Sequence, residues 1–149
     1  MSLPDSHDKA IIAELQRDGR ASYAAIGHAV GLSETAVRNR VRRLTDAGVM
    51  QIVAVTDPTQ LGFARQAMIG IRGSGALEPV AEARAALPEV DYVVITAGSY
   101  DVLAEVVCES DAHLLELVSG RIRQIDGVRE TDTLMYLKLQ QQTYAWGVR

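Results

Sequence analysis

The first 48 residues carry three consecutive apolar patterns at helical spacing, each preceded by a capping residue and followed by a stop signal. Apolar residues three or four positions apart lie on one face of a helix, and short polar residues favour the position before its first turn. Glycine favours the position after the last turn. The predicted caps are Asp5 or Ser6, Ser22 and Ser33, and the stops are Gly19, Gly31 and Gly48. Three short helices with a sharp turn at Gly31 predict a helix-turn-helix.

The third predicted helix has two chemically different faces. At about 100° per residue, its apolar residues fall within about 60° of one another. These residues are Val37, Val41 and Leu44. The opposite face carries side chains that can bind base edges in the major groove. They are Thr35, Arg38, Asn39 and Arg42. This pattern predicts a recognition helix, and a solvated basic face on an ordinary helical bundle is the alternative.

Two further arginines flank the predicted base-reading face. Arg40 and Arg43 are predicted to contact phosphates. The helix N-terminus, capped by Ser33, adds a partial positive charge. The predicted partner is therefore double-stranded DNA.

The overall charge of −4 hides an uneven distribution. Residues 1–50 hold seven Lys and Arg against six Asp and Glu, a net +1, and the remaining residues are net −5. A small basic element on an acidic body is typical of a local phosphate-binding surface.

Several classes of protein are not indicated. The single cysteine, Cys108, is interpreted as a small core residue, and the three histidines have no metal-ligand spacing. No catalytic constellation, cofactor motif, secretory signal or membrane-spanning run is found in the sequence. We therefore expect a cytoplasmic protein that is not an enzyme and needs no metal or cofactor.

After Gly48 the pattern changes to β-strands with two intervening helices. Strands are predicted over 50–56, 66–72, 90–97, 102–108 and 127–139. Helices are predicted over 77–87 and 110–125. The last four strands and two helices form a βαββαβ unit, which builds an antiparallel sheet with both helices on one face. The other face is left uncovered, so we expect a second subunit to cover it.

The turn between the strands at 90–97 and 102–108 has the chemistry of a ligand site. Gly98 permits close backbone approach, the free amides around Ser99 and Tyr100 can bind a carboxylate, and Asp101 can accept an ammonium group. A plain hairpin turn is the alternative on these residues alone.

The chain resembles the Lrp/AsnC (feast/famine) family of bacterial transcriptional regulators along essentially its whole length. Three matching motifs lie in the first part of the chain: Asp5-x-x-Asp8 continuing to Asp18-Gly19-Arg20, then Val30-Gly31-Leu32-Ser33, then Val37-x-x-Arg40-Val41-x-x-Leu44. Two more lie in the second part, Gly98-Ser99-Tyr100-Asp101 and Thr131-Asp132-Thr133. Pro4 and Gly27 depart from the family pattern, where leucine and alanine are usual. The closing tail at 140–147 has no assigned meaning.

The resemblance implies a ferredoxin-like effector domain that dimerises through its sheet and assembles into octamers. It also implies that a small molecule, an amino acid, binds between dimers at Gly98, Ser99, Tyr100 and Asp101, with Thr131 and Thr133 beside them.

The predicted fold class is α+β, with an N-terminal winged-type helix-turn-helix domain followed by a ferredoxin-like βαββαβ effector domain. The predicted boundaries are 1–49 for the DNA-binding domain, 50–65 for a linker strand and hinge, and 66–149 for the effector and oligomerisation domain.

The predicted function is an effector-responsive transcriptional regulator. The alternative is an amino-acid-sensing subunit that docks on a metabolic enzyme and does not bind DNA.

Overall fold

The computed structural model describes residues 3–144 and 147. The chain divides into two compact units, Met1–Val55 together with Gln140–Arg149, and Thr56–Leu139. We name them the helical unit and the sheet unit. The division falls inside the predicted linker and assigns the closing tail to the helical unit. No helix in the described part of the chain is long and apolar enough to cross a membrane.

The helical unit contains three helices whose ends follow the predicted caps. They are α1 (Ser6–Arg17), α2 (Tyr23–Val30) and α3 (Glu34–Asp46). Asp5 caps α1, and the Ser22 and Ser33 hydroxyls accept hydrogen bonds from the amides of Ala25 and Ala36. The core of the unit combines one or two buried residues from each helix. These are Ile11, Ile26, Val37 and Val41.

The sheet unit is a four-stranded antiparallel sheet in the order β2-β3-β1-β4. The strands are β1 (Arg65–Gly73), β2 (Val90–Ile95), β3 (Val102–Cys108) and β4 (Val128–Met135). A 3₁₀ turn, Pro58–Leu61, precedes β1, and helix α4 (Glu78–Ala85) joins β1 to β2. Helix α5 (Asp111–Leu115) continues into a π-helical turn (Glu116–Arg121) and a 3₁₀ turn (Ile122–Gln124) before β4. This order and pairing confirm the ferredoxin-like βαββαβ fold.

Both helical segments cover the same face of the sheet. Alternate residues of β1 and β3 are buried against them, because side chains alternate between the two faces of a strand. The strand contribution to this core is Ala67, Ile69, Ile71, Val102, Ala104, Val106 and Cys108, and the helical contribution is Val80, Leu117, Val118 and Ile122. We name the opposite side of the sheet the open face.

The predicted strand at 50–56 is wrong for the single chain. These residues form no regular secondary structure, and Ile52, Val53 and Val55 are exposed. A strand needs a neighbour to accept its ladder of hydrogen bonds, and no described segment of the chain provides one. The described residues of the helical unit contain no β-strand, so the wing of a winged-type domain is absent there.

The predicted helix at 110–125 is interrupted. It begins after the N-cap Ser110, whose hydroxyl accepts from the His113 amide, but it widens to a π-helical turn after Leu115. Ser119 and Gly120 lie in this turn and have poor helix propensity. The apolar spacing is preserved, since Leu117, Val118 and Ile122 still reach the core.

Arg84 of α4 is the largest fully buried side chain in the described part of the molecule. Its three guanidinium nitrogens have no hydrogen-bond acceptor among the described residues. Burial lowers the pKa of Arg84 to about 10, so the group is still charged at neutral pH. The sheet unit therefore contains a buried, uncompensated cation.

Candidate nucleic-acid interface and effector loop

Helix α3 separates its apolar and polar side chains in the way its sequence predicts. Val37 is fully buried, and Val41 and Leu44 are 3% exposed. On the other side, four polar side chains lie at the surface. These are Thr35, Arg38, Asn39 and Arg42. The structure thus places the predicted base-reading residues together on one solvent-facing surface, which we name the α3 face.

The turn between α2 and α3 depends on two glycines. Gly31 has a φ of 73°, in the left-handed region, and the amide of Leu32 donates to the Gly27 carbonyl at 2.9 Å. A Cβ atom on Gly27 would lie 2.5 Å from the Leu32 carbonyl oxygen. The departure from alanine at this position therefore fits a closely packed turn.

The two arginines of the α3 face differ in their surroundings. Arg38 pairs with Glu34 at 2.5 Å, and its guanidinium carbon lies 5.9 Å from the centre of the Tyr23 ring. The Arg42 side chain is exposed and makes no hydrogen bond or ion pair with any described residue. Both are accessible to a polyanion, since the Arg38 pair is itself at the surface.

Arg40 and Arg43 contact carboxylates at the start of α1. The Arg40 Nη1 atom lies 2.8 Å from Asp5 Oδ2 and 2.7 Å from Asp8 Oδ1. The Arg43 Nη2 atom donates to both Asp8 oxygens, at 2.7 and 2.6 Å. These contacts give both arginines a role that the sequence prediction of phosphate binding does not include. The motif Asp5-x-x-Asp8 carries the missed signal, because it pairs two acids at a helix start.

The same two carboxylates also cap α1, and we name them the carboxylate pair. Asp5 Oδ1 accepts from the Asp8 amide at 2.8 Å, and Asp8 Oδ2 accepts from the Asp5 amide at 3.1 Å. The hydrogen bond from Arg40 is the main reason that the pKa of Asp5 falls to about 2. Burial alone would raise the pKa of Asp8, but its hydrogen bonds with Arg40 and the Asp5 amide, together with the charge of Arg43, hold it below its usual value.

The loop at Gly98–Asp101 is tied to its own sheet. The Asp101 amide donates to the Ile71 carbonyl, and Asp101 Oδ2 accepts from the Gly73 amide, both at 2.8 Å. The Thr96 hydroxyl donates to the Tyr100 carbonyl at 2.5 Å. Gly98 and Ser99 are exposed, and no described atom lies within 4 Å of where a Cβ on Gly98 would be. One oxygen of Asp101 is thus already used by the fold.

Tyr100 lies on the open face. A Cβ on Gly70 would lie 2.7 Å from the Tyr100 ring, so the ring rests on the glycine backbone. Arg72 extends beside it, with its guanidinium carbon 5.0 Å from the ring centre and its Nε donating to the Ser99 carbonyl at 3.0 Å.

The structure does not bring Thr131 and Thr133 to the Tyr100 side. They pair with Ile71 and Ile69, whose side chains are buried under the helices. Directly paired residues of an antiparallel sheet point to the same side, so both threonines point to the helix side. Consistent with this, the Thr131 hydroxyl accepts from Arg123 Nε at 2.8 Å.

Two β4 residues that do share the open face with Tyr100 are acidic. Asp132 pairs with Gly70 and Glu130 pairs with Arg72, and their carboxylates lie 3.4 and 2.8 Å from Arg72 Nη1. The sequence reasoning missed these two residues. Side chains of β4 alternate between the two faces of the sheet, but the face of each residue is known only once the register of β4 against β1 is known.

Two family profiles match the chain. Residues 5–45 match the AsnC-type helix-turn-helix domain. Residues 68–149 match the PF0864 C-terminal dimeric alpha+beta barrel domain. The first match falls within the helical unit, and the second covers most of the sheet unit together with the closing tail.

Similar proteins come from both archaea and bacteria. HTH-type transcriptional regulator FL11 of Pyrococcus horikoshii is 34% identical over 146 residues, which cover 96% of each chain. HTH-type transcriptional regulator Rv2324 of Mycobacterium tuberculosis is 34% identical over 92% of this chain and 94% of its own. The resemblance is therefore not restricted to bacterial regulators.

Solved structures agree along nearly the full length. Escherichia coli AsnC superposes with a TM-score of 0.82 at 29% identity, covering 96% of this chain and 98% of its own. The leucine response regulatory protein LrpA of Mycobacterium tuberculosis gives a TM-score of 0.83 at 29% identity, covering 93% and 95%. The chain belongs to the Lrp/AsnC family of helix-turn-helix transcriptional regulators.

Proposed function

We propose that the α3 face reads the operator through Thr35, Arg38, Asn39 and Arg42. The observation that carries this proposal is the exposure of all four side chains opposite a buried apolar face. Arginine can pair with guanine, asparagine with adenine, and threonine with a phosphate or a thymine methyl group. The amino end of α3, capped by Ser33, faces a phosphate in this arrangement.

Selection from a random-sequence duplex library tests this proposal. The full chain should enrich a pseudo-palindromic site, because a dimer presents two copies of α3 to two half-sites. Enrichment of no sequence, together with capture of a metabolic enzyme, would instead support the docking-subunit alternative. The exposed arginines of the α3 face oppose that alternative, since a protein-docking helix has no need of them.

The proposed effector is an amino acid bound beside the loop at Gly98–Asp101. Exposed Gly98 and Ser99 offer backbone groups, and Asp101 Oδ1 accepts no hydrogen bond from any described residue, because the Gly73 amide donates to Oδ2. A structure of the regulator NMB0573 from Neisseria meningitidis, which shares 24% identity and the fold, is a complex with L-Met. On the Tyr100 side a ligand meets Arg72, Asp132 and Glu130, whereas Thr131 and Thr133 are reachable only from the other face of the sheet.

A thermal-shift screen of the twenty amino acids tests the effector proposal. A hit should raise the melting temperature in proportion to the logarithm of ligand concentration. The effect should vanish in Ser99→Pro, which alters the exposed backbone, and persist in Thr131→Val, which alters the opposite face. The reverse pattern would place the ligand on the helix side of the sheet.

The proposed assembly is a homodimer through the open face, which associates further to an octamer. The open face carries Tyr92 and Leu134, which are 51% and 46% exposed in the single chain. The matching C-terminal family is described as dimeric, which supports the same arrangement. Light scattering of the full chain should give a multiple of the dimer mass, and a stable monomer at micromolar concentration would contradict it.

As a DNA-binding regulator, the protein is proposed to act in the cytoplasm and to catalyse no reaction.

A further inference from the structure

Four arginines lie within six residues of α3, but the fold does not present them equally. Arg38 and Arg42 point to solvent on the α3 face, while Arg40 and Arg43 are held by the carboxylate pair. Asp8 is only 2% exposed, so its carboxylate is held inside the helical unit and cannot move away freely. It faces the two arginines on α3 and the Asp5 amide on its own helix.

A DNA phosphate would have to compete with this buried carboxylate. Arg40 makes three hydrogen bonds to the pair and Arg43 makes two. Charge-assisted hydrogen bonds of this kind are about twice as strong as neutral ones. Releasing Arg40 or Arg43 would also leave Asp8 buried with less compensation, which is unfavourable.

We propose that Asp8, supported by Asp5, is a positioning residue that withholds Arg40 and Arg43 from DNA. This inference rests on the proposed DNA contacts of the α3 face. It assigns Arg40 and Arg43, which lie outside that face, to the carboxylate pair. Fewer phosphate contacts lower the affinity for random DNA, which is almost entirely electrostatic. The carboxylate pair thereby favours discrimination between the operator and other sequences, because discrimination is the ratio of the two affinities.

The test compares Arg42→Ala with Arg43→Ala in the full chain. The two residues are adjacent, exposed and of equal charge, and they differ in the contact with Asp8. Affinity for a random-sequence duplex is measured by fluorescence anisotropy between 50 and 200 mM salt. Each phosphate contact contributes about 0.9 to the slope of log affinity against log salt concentration. On a random duplex Arg42 has no matching base and its free guanidinium neutralises a phosphate instead, so Arg42→Ala should reduce the slope by about 0.9. Arg43→Ala should reduce it by much less, whereas equal reductions would overturn the proposal.

Asp8→Asn provides the complementary measurement. The amide keeps an oxygen for capping but loses the charge, so the slope should rise by about 0.9 for each arginine released. Adding Arg43→Ala to Asp8→Asn should then reduce the slope by about 0.9, the effect absent in the native background. A lower slope in folded Asp8→Asn would mean that the carboxylate directs the arginines toward phosphates, and it would overturn the proposal.

Folding and function are separated by two controls. If Asp8→Asn fails to fold by circular dichroism, Asp5→Asn replaces it, since Asp5 is half-exposed and contacts Arg40 directly. If the native chain binds no duplex at low salt, the proposed function fails, and that result is distinct from equal slopes in a protein that does bind.

Discussion

The arginines of α3 in the helical unit and Arg84 in the sheet unit differ in their exposure and in their hydrogen-bond partners. In the helical unit Arg40 is partly exposed and contacts two carboxylates, and the other arginines of α3 lie at the surface. In the sheet unit Arg84 is fully buried and has no acceptor among the described residues. The arginines of α3 are therefore either hydrated or paired with a carboxylate, whereas the buried Arg84 has neither water nor an acceptor to compensate its charge. The comparison separates compensated charges from a charge that lowers stability.

The largest expected effect is at Arg84. Arg84→Met replaces the buried cation with an apolar chain of similar length, and the free energy of unfolding should rise by about 1–4 kcal/mol. Urea denaturation of the full chain measures this. Arg129→Met, at an exposed position of β4, is the control and should change stability by less than about 0.5 kcal/mol. A loss of stability in Arg84→Met would show that the guanidinium has an acceptor, for example in a second copy of the chain.

The next effect concerns the surface arginines. Arg38→Ala and Arg42→Ala should each weaken operator binding by about 1–3 kcal/mol, because each removes a proposed base contact. Arg20→Ala, at an exposed position outside α3, is the matched control. Competition titrations with operator and random duplexes measure the loss. Equal losses on both duplexes would reassign these arginines from bases to phosphates.

A smaller effect is expected at Asp101. Asp101→Ala removes the acceptor of the Gly73 amide and should cost the sheet unit about 1 kcal/mol of stability. Asp101→Asn keeps an oxygen at that position and should cost less. Chemical denaturation without ligand measures the loss of stability. If Asp101 only bound the effector, Asp101→Ala would be as stable as the native chain.

The smallest effect is the acid sensitivity of the helical unit. Because the folded pKa of Asp5 is about 2 and its ordinary value is 3.8, this carboxylate stabilises the fold above about pH 4 and loses that contribution as the pH falls toward 2. The lowered pKa of Asp8 acts in the same direction. Stability of native chain and Asp5→Asn should therefore converge between pH 4 and 2. Parallel pH profiles would show that the Arg40 contact does not stabilise the folded state.

The helical unit could be predicted almost residue by residue because a helix has a fixed angular period. Once Val37 and Val41 are assigned to the core, the opposite face follows from geometry alone. The partners of Arg40 and Arg43 could not be found in this way. They lie at the start of α1, some 32 to 35 positions earlier, and depend on how two helices pack.

The sheet unit shows what a strand pattern leaves open. The order of strands and helices follows from hydrophobic patterns and turns, but the side of each β4 residue depends on its register with β1. The family resemblance places the predicted effector residues at one site, yet Tyr100 lies on the open face and Thr131 lies on the helix side of the sheet. The burial of Arg84 is likewise invisible to a sequence reading, since a charged residue in a short helix is normally placed in solvent.

Recognition of DNA bases by the α3 face is tested most directly at Asn39, which is exposed and carries no charge. The selected operator and a set of its single-base variants are titrated with native chain and Asn39→Ala. The native chain should prefer adenine at one position of each half-site, and Asn39→Ala should lose that preference by about 1–3 kcal/mol without changing the salt dependence. An unchanged base preference in Asn39→Ala at every position would contradict the assignment of α3 as the helix that reads DNA.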